Sequence, residues 1–542
     1  MKKIYRAKQI YTMDPTNPLV NYIELDGDII VGLGQAESSK IVLKEIDNRF
    51  SEKTLLPGFI EGHSHATEGT FWRHVYCGYF DRVDPDGKTW YGLHSIAEVI
   101  QRIISSLSRN HQPILGWGID PIYFDSKKIL REDLDLISKD IQVGLIHASC
   151  HIVYVNSMSL MKAGLLRQGI IHPGIVLNED GYPTGELRGP EAISLVGKIL
   201  GINNDILGCD TDGLLKFAKL CVKKGITTAS DFANPLGDAL VKEMLEVTSE
   251  INYPIRLVSL LRSTQSYGEK LIQRALKLKA LSTNRLRLGM IKIVVDGSIQ
   301  GFTARLRSGR FYNGAHNGLW YITKENLVDT YLYALKHGVQ VHTHTNGDQA
   351  TELAIECMES VMKESFKHNH RFTIQHCQLA DEQLLKRIKS LGMCINFFAN
   401  HVYYWGDQHA LYTVGPEYAK KMNPCATALS LDIPIAIHSD APITPIDPLF
   451  TAWCAVNRKT ATGSILGKEE KISVTQALYA ITMGAAYTLG LEHEVGSIEI
   501  GKKADFAILD VDPYAVPDSK IRHVPVWGTI QGGRIFQANK SK

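Results

Sequence analysis

Two histidines, His63 and His65, stand one residue apart in "LLPGFIEGHSHATEG", at the end of a short apolar run closed by glycines. In a β-strand, residues i and i+2 point to one face, so both imidazoles project together; on a helix the same spacing aims them apart. Two imidazoles side by side can grip one divalent metal at about 2.0–2.1 Å. The plainer alternative is that one histidine packs and the other caps a turn. Related residue types recur downstream. "VHTHTNGD" offers His344, with His342 on the same face; "TIQHCQ" offers His376; "IAIHSDAP" offers Asp440. "GMIKIVVDGS" carries Lys292 inside an apolar run, where burial of a cation needs a reason. Taken singly, each histidine could be a satisfied core residue, and the lysine could snorkel through a helix layer.

The elements that would position these groups form one repeating unit: an amphipathic helical stretch, a glycine stop, then a short β-rich run. "GLLKFAKLCVKKG" precedes "ITTASDF", "ENLVDTYLYALKHG" precedes "VQVHTHTNGD", and "DEQLLKRIKSLG" precedes "MCINFFAN". Gly225, Gly338 and Gly392 stand at the stops, the residue that adopts a left-handed helix cap without steric cost. Strands too apolar to face water, alternating with helices, imply parallel β/α units buried on both sides. Eight such strands are predicted, over 58–65, 226–232, 255–261, 290–296, 339–345, 372–378, 393–399 and 434–440. Eight parallel strands suggest an α/β fold of the (β/α)8 TIM-barrel type, with its chemistry at the C-terminal strand ends. On that reading, the candidate residues share one end of five of the eight strands.

The spacing predicts three units. A TIM barrel spans 56–494. About 160 residues separate the first strand from the second, too many for one βα connection, so an inserted subdomain over 70–208 is expected. Residues 1–55 and 495–542 read as short antiparallel strands with D-G and G-G turns, expected to pair into a small β-sandwich built from both chain ends.

Composition narrows the function. The chain has 542 residues, 44% apolar and 21% charged, and a net charge of +2. This is an ordinary globular composition that argues against nucleic acid or anionic membrane surfaces as partners. No run is long and apolar enough for a membrane span, and the start lacks a secretory core. Nine scattered cysteines without a C-x-x-C pair suit reduced thiols and a cytoplasmic location.

H-x-H on strand one, lysine on four, histidine on five and six and aspartate on eight resemble the amidohydrolase superfamily of metal-dependent hydrolases. "PGFIEGHSHATEG", "KIVVDGSIQGFTA", "THTNGDQA", "IQHCQLAD" and "SDAPITPIDP" are most similar to its amidohydrolase family 3 branch, which includes N-substituted formamide deformylase-like proteins. The resemblance runs through the tail "ITMGAAYTLGLEHEVGSIEIGKKADFAILDVDP". It implies that His63 and His65 hold one metal and His344 and His376 a second. It further implies that Lys292, as a carbamate formed with carbon dioxide, bridges the two, and that Asp440 binds the first metal and handles the proton. Zinc is the expected ion, with iron, manganese or nickel also compatible with such ligands. The activity implied is hydrolysis of a non-peptide amide C–N bond in a small molecule, an N-acyl or N-formyl amine, with Asp440 and His376 in catalysis. A homodimer is implied by resemblance alone.

His151 and Tyr154 in "HASCHIVYVNS" resemble the branch's insert segment that leans over the site, which makes them candidate substrate contacts. Asp296, further along the strand that carries Lys292, is a candidate for hydrogen-bonding substrate or orienting ligands. Where the branch tends to show an arginine before "TA", this chain has Phe302, which points to an apolar or aromatic substrate group. Arg305 and Arg307 stand nearby as substitutes or as surface charges. His438 is expected to fill the barrel layer beneath Asp440. Two other readings remain open: a one-metal deaminase of ring amines on the same barrel, and a binding or regulatory protein that has lost the chemistry.

Overall fold

The computed structural model describes residues 2–35, 46–106, 113–124, 127–202, 208–263 and 266–538. Eight parallel strands run in chain order through one sheet: strand one (Phe59–Glu61), two (Ile226–Asn234), three (Arg256–Arg262), four (Ile291–Val294), five (Val341–Thr345), six (Thr373–His376), seven (Cys394–Phe397) and eight (Ile435–Ile437). Each overlaps the run expected from the sequence. At their C-terminal ends the two edge strands are adjacent, since the Asp440 N–H donates to His63 O at 3.1 Å and the His65 N–H to Ala441 O at 2.7 Å.

Alternation along the strands sorts the side chains. On strand four, Ile291 and Ile293 face the large apolar cluster shared with the surrounding helices, and Lys292 between them takes the other face. On strand five, Val341 joins that cluster while His342 and His344 point inward together. Between strands four and five, the helix Lys324–His337 begins with Thr323 Oγ1 accepting the Asn326 N–H and ends at Gly338 in the left-handed region, φ 65°. Gly225 and Gly392 lie there too, at φ 75° and 68°.

Between strands one and two, residues 75–188 contribute a six-stranded sheet with apolar clusters of its own. Its strands Val143–His147 and Ile152–Val155 pair antiparallel, and the segment linking them reaches the barrel mouth. The two chain ends also meet, but hydrogen bonding joins their seven strands in one continuous sheet rather than two. The reason is the long strand Ile46–Pro57, which pairs parallel with Lys2–Tyr11 on one edge and antiparallel with Phe506–Leu509 on the other. Among the described residues, no helix is long and apolar enough to cross a membrane.

Candidate metal centre

His63 and His65 sit just past the end of strand one, both buried. His65 Nε2 lies 3.2 Å and His63 Nε2 3.3 Å from Asp440 Oδ1. Second partners determine which ring nitrogen faces this point. His63 Nδ1 is 2.7 Å from Gln375 Oε1, and His65 Nδ1 is 2.6 Å from the Phe232 carbonyl oxygen. Both partners are pure acceptors, so each Nδ1 carries the proton and each Nε2 presents a lone pair. Lys292 Nζ lies 3.2 Å from His63 Nε2.

Backbone geometry places the other two residues. The alternation of strand six sends Phe372 and Ile374 outward, which would take His376 outward as well. His376 instead has φ 68°, in the left-handed region, and its ring turns inward to centroid distances of 4.8 Å from His63 and 4.4 Å from His344. Asp440 has φ 53° at the equivalent point beyond strand eight. Non-glycine residues in this sparsely populated region at the end of strand six and beyond strand eight mark a place where structure is held against local preference. Glu61 supports the turn by accepting from the Ser439 N–H at 3.0 Å and the Ser439 hydroxyl at 2.9 Å.

Electrostatics favour ligand-ready forms. Burial, followed by the charges of Lys292 and neighbouring histidines, holds the His63 imidazolium well below its ordinary range. Burial does the same to His344 and His376, reinforced by neighbouring histidines. Burial pushes Lys292 down to about 7, against the opposing pull of Asp440, so a large share of it is a neutral amine near neutral pH. Burial alone would raise the Asp440 carboxyl, but the proximity of His65, then His438 and Lys292, outweighs it and holds it low.

These residues fit a divalent cation. Neither nitrogen of the buried His376 has a hydrogen-bond partner, and Asp440 Oδ1, though close to two imidazoles, makes no hydrogen bond of proper geometry. Such orphaned polar atoms are costly unless something else engages them. Among the described residues, ligand atoms of His63, His65 and Asp440 lie within 4.8 Å of one another, as do those of His63, His376 and His438. His344 falls outside both groups; its Nε2 is 3.1 Å from the Gly297 carbonyl oxygen. His438 stacks between His63 and Phe398 in the layer beneath, with centroid distances of 4.6 and 5.1 Å.

A cavity of about 80 Å³ opens on this cluster, lined by His63, His65, Lys292, His344, His376 and Asp440. Ser149, Cys150 and His151 of the insertion close it from above, with Arg262 at the end of strand three and an apolar side that includes Ile193 and Ile443. The His151 ring stands 5.2 Å from that of His344. Tyr154 and Phe302, expected at the substrate, line a separate cavity of about 420 Å³ on the other side of the segment 147–152. Ile152 and Tyr154 share one face of the strand Ile152–Val155 and line the second cavity, whereas Cys150, ahead of the strand at φ 57°, and His151 line the first; Phe302 packs on Phe311. Asp296 is 3.7 Å from His344 Nε2, but its oxygens already accept the N–H groups of Arg305, Asn346 and Gly347, so it orients the strand-end loops. Arg307 pairs with Glu352 and Asp381, and Arg305 lies over Trp320, both away from the metal cavity. Gln375 and Ser149 were not singled out by sequence; the signal available was their place beside His376 in "TIQHCQ" and between His147 and His151 in "HASCH".

An α/β fold with eight parallel strands, and a histidine–aspartate–lysine cluster at their C-terminal ends, defines a metal-dependent hydrolase. The chain belongs to the amidohydrolase family, which it matches over residues 51–537, and it is a hydrolase acting on carbon–nitrogen bonds. It is 25% identical to a putative amidohydrolase, YtcJ, of Bacillus subtilis, over 99% of both chains. It is likewise 25% identical to an N-substituted formamide deformylase of Arthrobacter pascens, over 89% of this chain and 88% of that one. A solved metal-dependent hydrolase from Pyrococcus horikoshii shares the fold at a TM-score of 0.71 and 21% identity, over 96% of this chain and 99% of the other.

Proposed function

We propose that the protein hydrolyses a non-peptide amide C–N bond in a small N-acyl or N-formyl amine, using divalent cations, zinc foremost, held by His63, His65, His344, His376 and Asp440. The observation that carries this reading is the convergence of two Nε2 atoms, their tautomers set by acceptors on Nδ1, on Asp440 Oδ1 beside the buried Lys292. Likeness to a relative named as a formamide deformylase supports the choice of amide.

Lys292 is suited to carboxylation. Its neutral amine can add to carbon dioxide, forming an N–C bond and releasing one proton, and the resulting carbamate would supply an anion between two cations. When bound, such cations acidify water and polarise a carbonyl. Asp440, ionised at neutral pH, accepts the proton of the attacking water and delivers it to the leaving nitrogen, acting as base and then acid. The insertion residues Ser149, Cys150 and His151 and the apolar side of the cavity limit access of bulk water.

Metal analysis of protein purified without chelator, paired with turnover of N-benzylformamide, tests the reading. Near two metals per chain with amine release is the expected result. Ammonia release from a ring amine, at one metal per chain, would replace it with the deaminase reading.

A further inference from the structure

The segment between the two cavities carries a line of close polar contacts that the reading above does not use. Asp120 and His147 are both buried, with His147 Nε2 3.2 Å from Asp120 Oδ1. Asp120 is held in turn by the Ile122 N–H at 3.1 Å and by Trp405 Nε1, which donates to Oδ2 at 2.9 Å. On the other side of the ring, the Ser149 backbone N–H donates to His147 Nδ1 at 3.0 Å, and Ser149 Oγ lies 2.8 Å from the same nitrogen.

These partners leave one assignment. A nitrogen that receives a backbone N–H carries a lone pair, so Nδ1 is bare and the ring proton is on Nε2, facing Asp120. The Nδ1 lone pair is then shared in a three-centre contact by the Ser149 N–H and the Ser149 hydroxyl, which can approach it only as a donor and so directs its single proton there. One of its two lone pairs accepts the His151 N–H at 3.3 Å, and the second is unassigned. Ser149 is 4% exposed and lines the cavity that holds Lys292, His344, His376 and Asp440.

We propose that Ser149 is a specificity-determining residue. Its hydroxyl, locked as a donor by the Asp120–His147 pair, offers the cavity a hydrogen-bond acceptor only. It selects substrates with an N–H at the scissile amide, secondary amides over tertiary ones. Ser149 is the group that touches substrate; His147 and Asp120 act through it as positioning residues. The inference rests on the amide-hydrolase reading.

The test compares two metal-chelating amide mimics that differ by one methyl group, acetohydroxamate and N-methylacetohydroxamate, by calorimetric titration of the zinc-loaded full chain. The wild-type protein is expected to bind the N–H form about tenfold or more tightly, the scale of one buried hydrogen bond. Ser149→Ala should bring the two within about threefold at unchanged zinc content. Ser149→Thr, which keeps the hydroxyl, should retain the preference. Equal affinities in the wild type, a preference that survives in Ser149→Ala, or no binding of either probe to zinc-loaded protein would overturn the assignment of Ser149 alone. Failure of the wild-type chain to take up zinc, measured in the same samples, would overturn the parent reading and this inference with it.

Discussion

Gln375 Oε1 accepts the Nδ1 proton of His63 at 2.7 Å, and Gln375 Nε2 reaches His342 Nδ1 at the same distance. One amide thus clamps two imidazoles and leaves the His63 Nε2 lone pair facing Lys292 and Asp440. Its removal should loosen the ring and unset its tautomer. Gln375→Leu is expected to weaken zinc binding by about 10- to 100-fold, the usual cost of losing a partner behind a ligand. Competition with a chelator of known affinity measures it.

Asp440 is the proposed proton carrier, and its left-handed backbone decides the best substitution. Asparagine tolerates φ near 53° and alanine does not, so Asp440→Asn isolates the chemistry from the strain. Turnover should fall by about 100-fold or more, the contribution of general acid–base catalysis, while the thermal midpoint changes little.

Lys292 makes two predictions. Metal content per chain should fall in Lys292→Ala if the lysine bridges two ions. In metal-free protein, burial lowers this group from 10.5 to about 7. Between those values the unfolded chain holds a proton that the folded chain lacks, so stability rises with pH. Relative to Lys292→Met, the wild type should gain about 1 kcal/mol between pH 7.5 and 8.5 in denaturant titrations. A flat difference would mean that the lysine stays charged in the fold.

Arg82 ties the insertion to the loop that follows Asp440. It donates to the Pro442 carbonyl oxygen at 2.7 Å and to Glu68 Oε1 at 2.6 Å, with both charged side chains buried. Arg82→Met leaves Glu68 unpaired and should cost about 3–5 kcal/mol, whereas the double change with Glu68→Leu should cost much less. Denaturant unfolding of the two variants decides between them.

The parallel strands were legible because each is a short apolar run between a helix-stopping glycine and a polar strand end. That His63, His65, Lys292, His344, His376 and Asp440 would meet in one cavity was legible because strand ends gather. What escaped depends on neighbours remote in sequence. Gln375 is ordinary until His63, 312 residues away, is seen to bond it. Tyr154 and Phe302 stand near the expected place in sequence but line the second cavity, Tyr154 because it shares a strand face with Ile152. Phe302→Ala should therefore leave zinc content unchanged. The single sheet of the chain ends was also hidden, since pairing of Ile46–Pro57 on both edges is a matter of tertiary register.

That strand has a consequence for biogenesis. Ile46–Pro57 leads directly into the histidine-bearing strand one, yet its second edge is covered only by Phe506–Leu509, and the Gly58 N–H is bound by the Asp505 carbonyl oxygen. During translation, some 450 residues must emerge before that edge is sealed. A nascent chain thus carries an open β-edge beside its most chemically active segment for most of its synthesis, the kind of exposed template that invites association with other chains. The ribosome makes the first half of the histidine cradle early, and the chain secures it last.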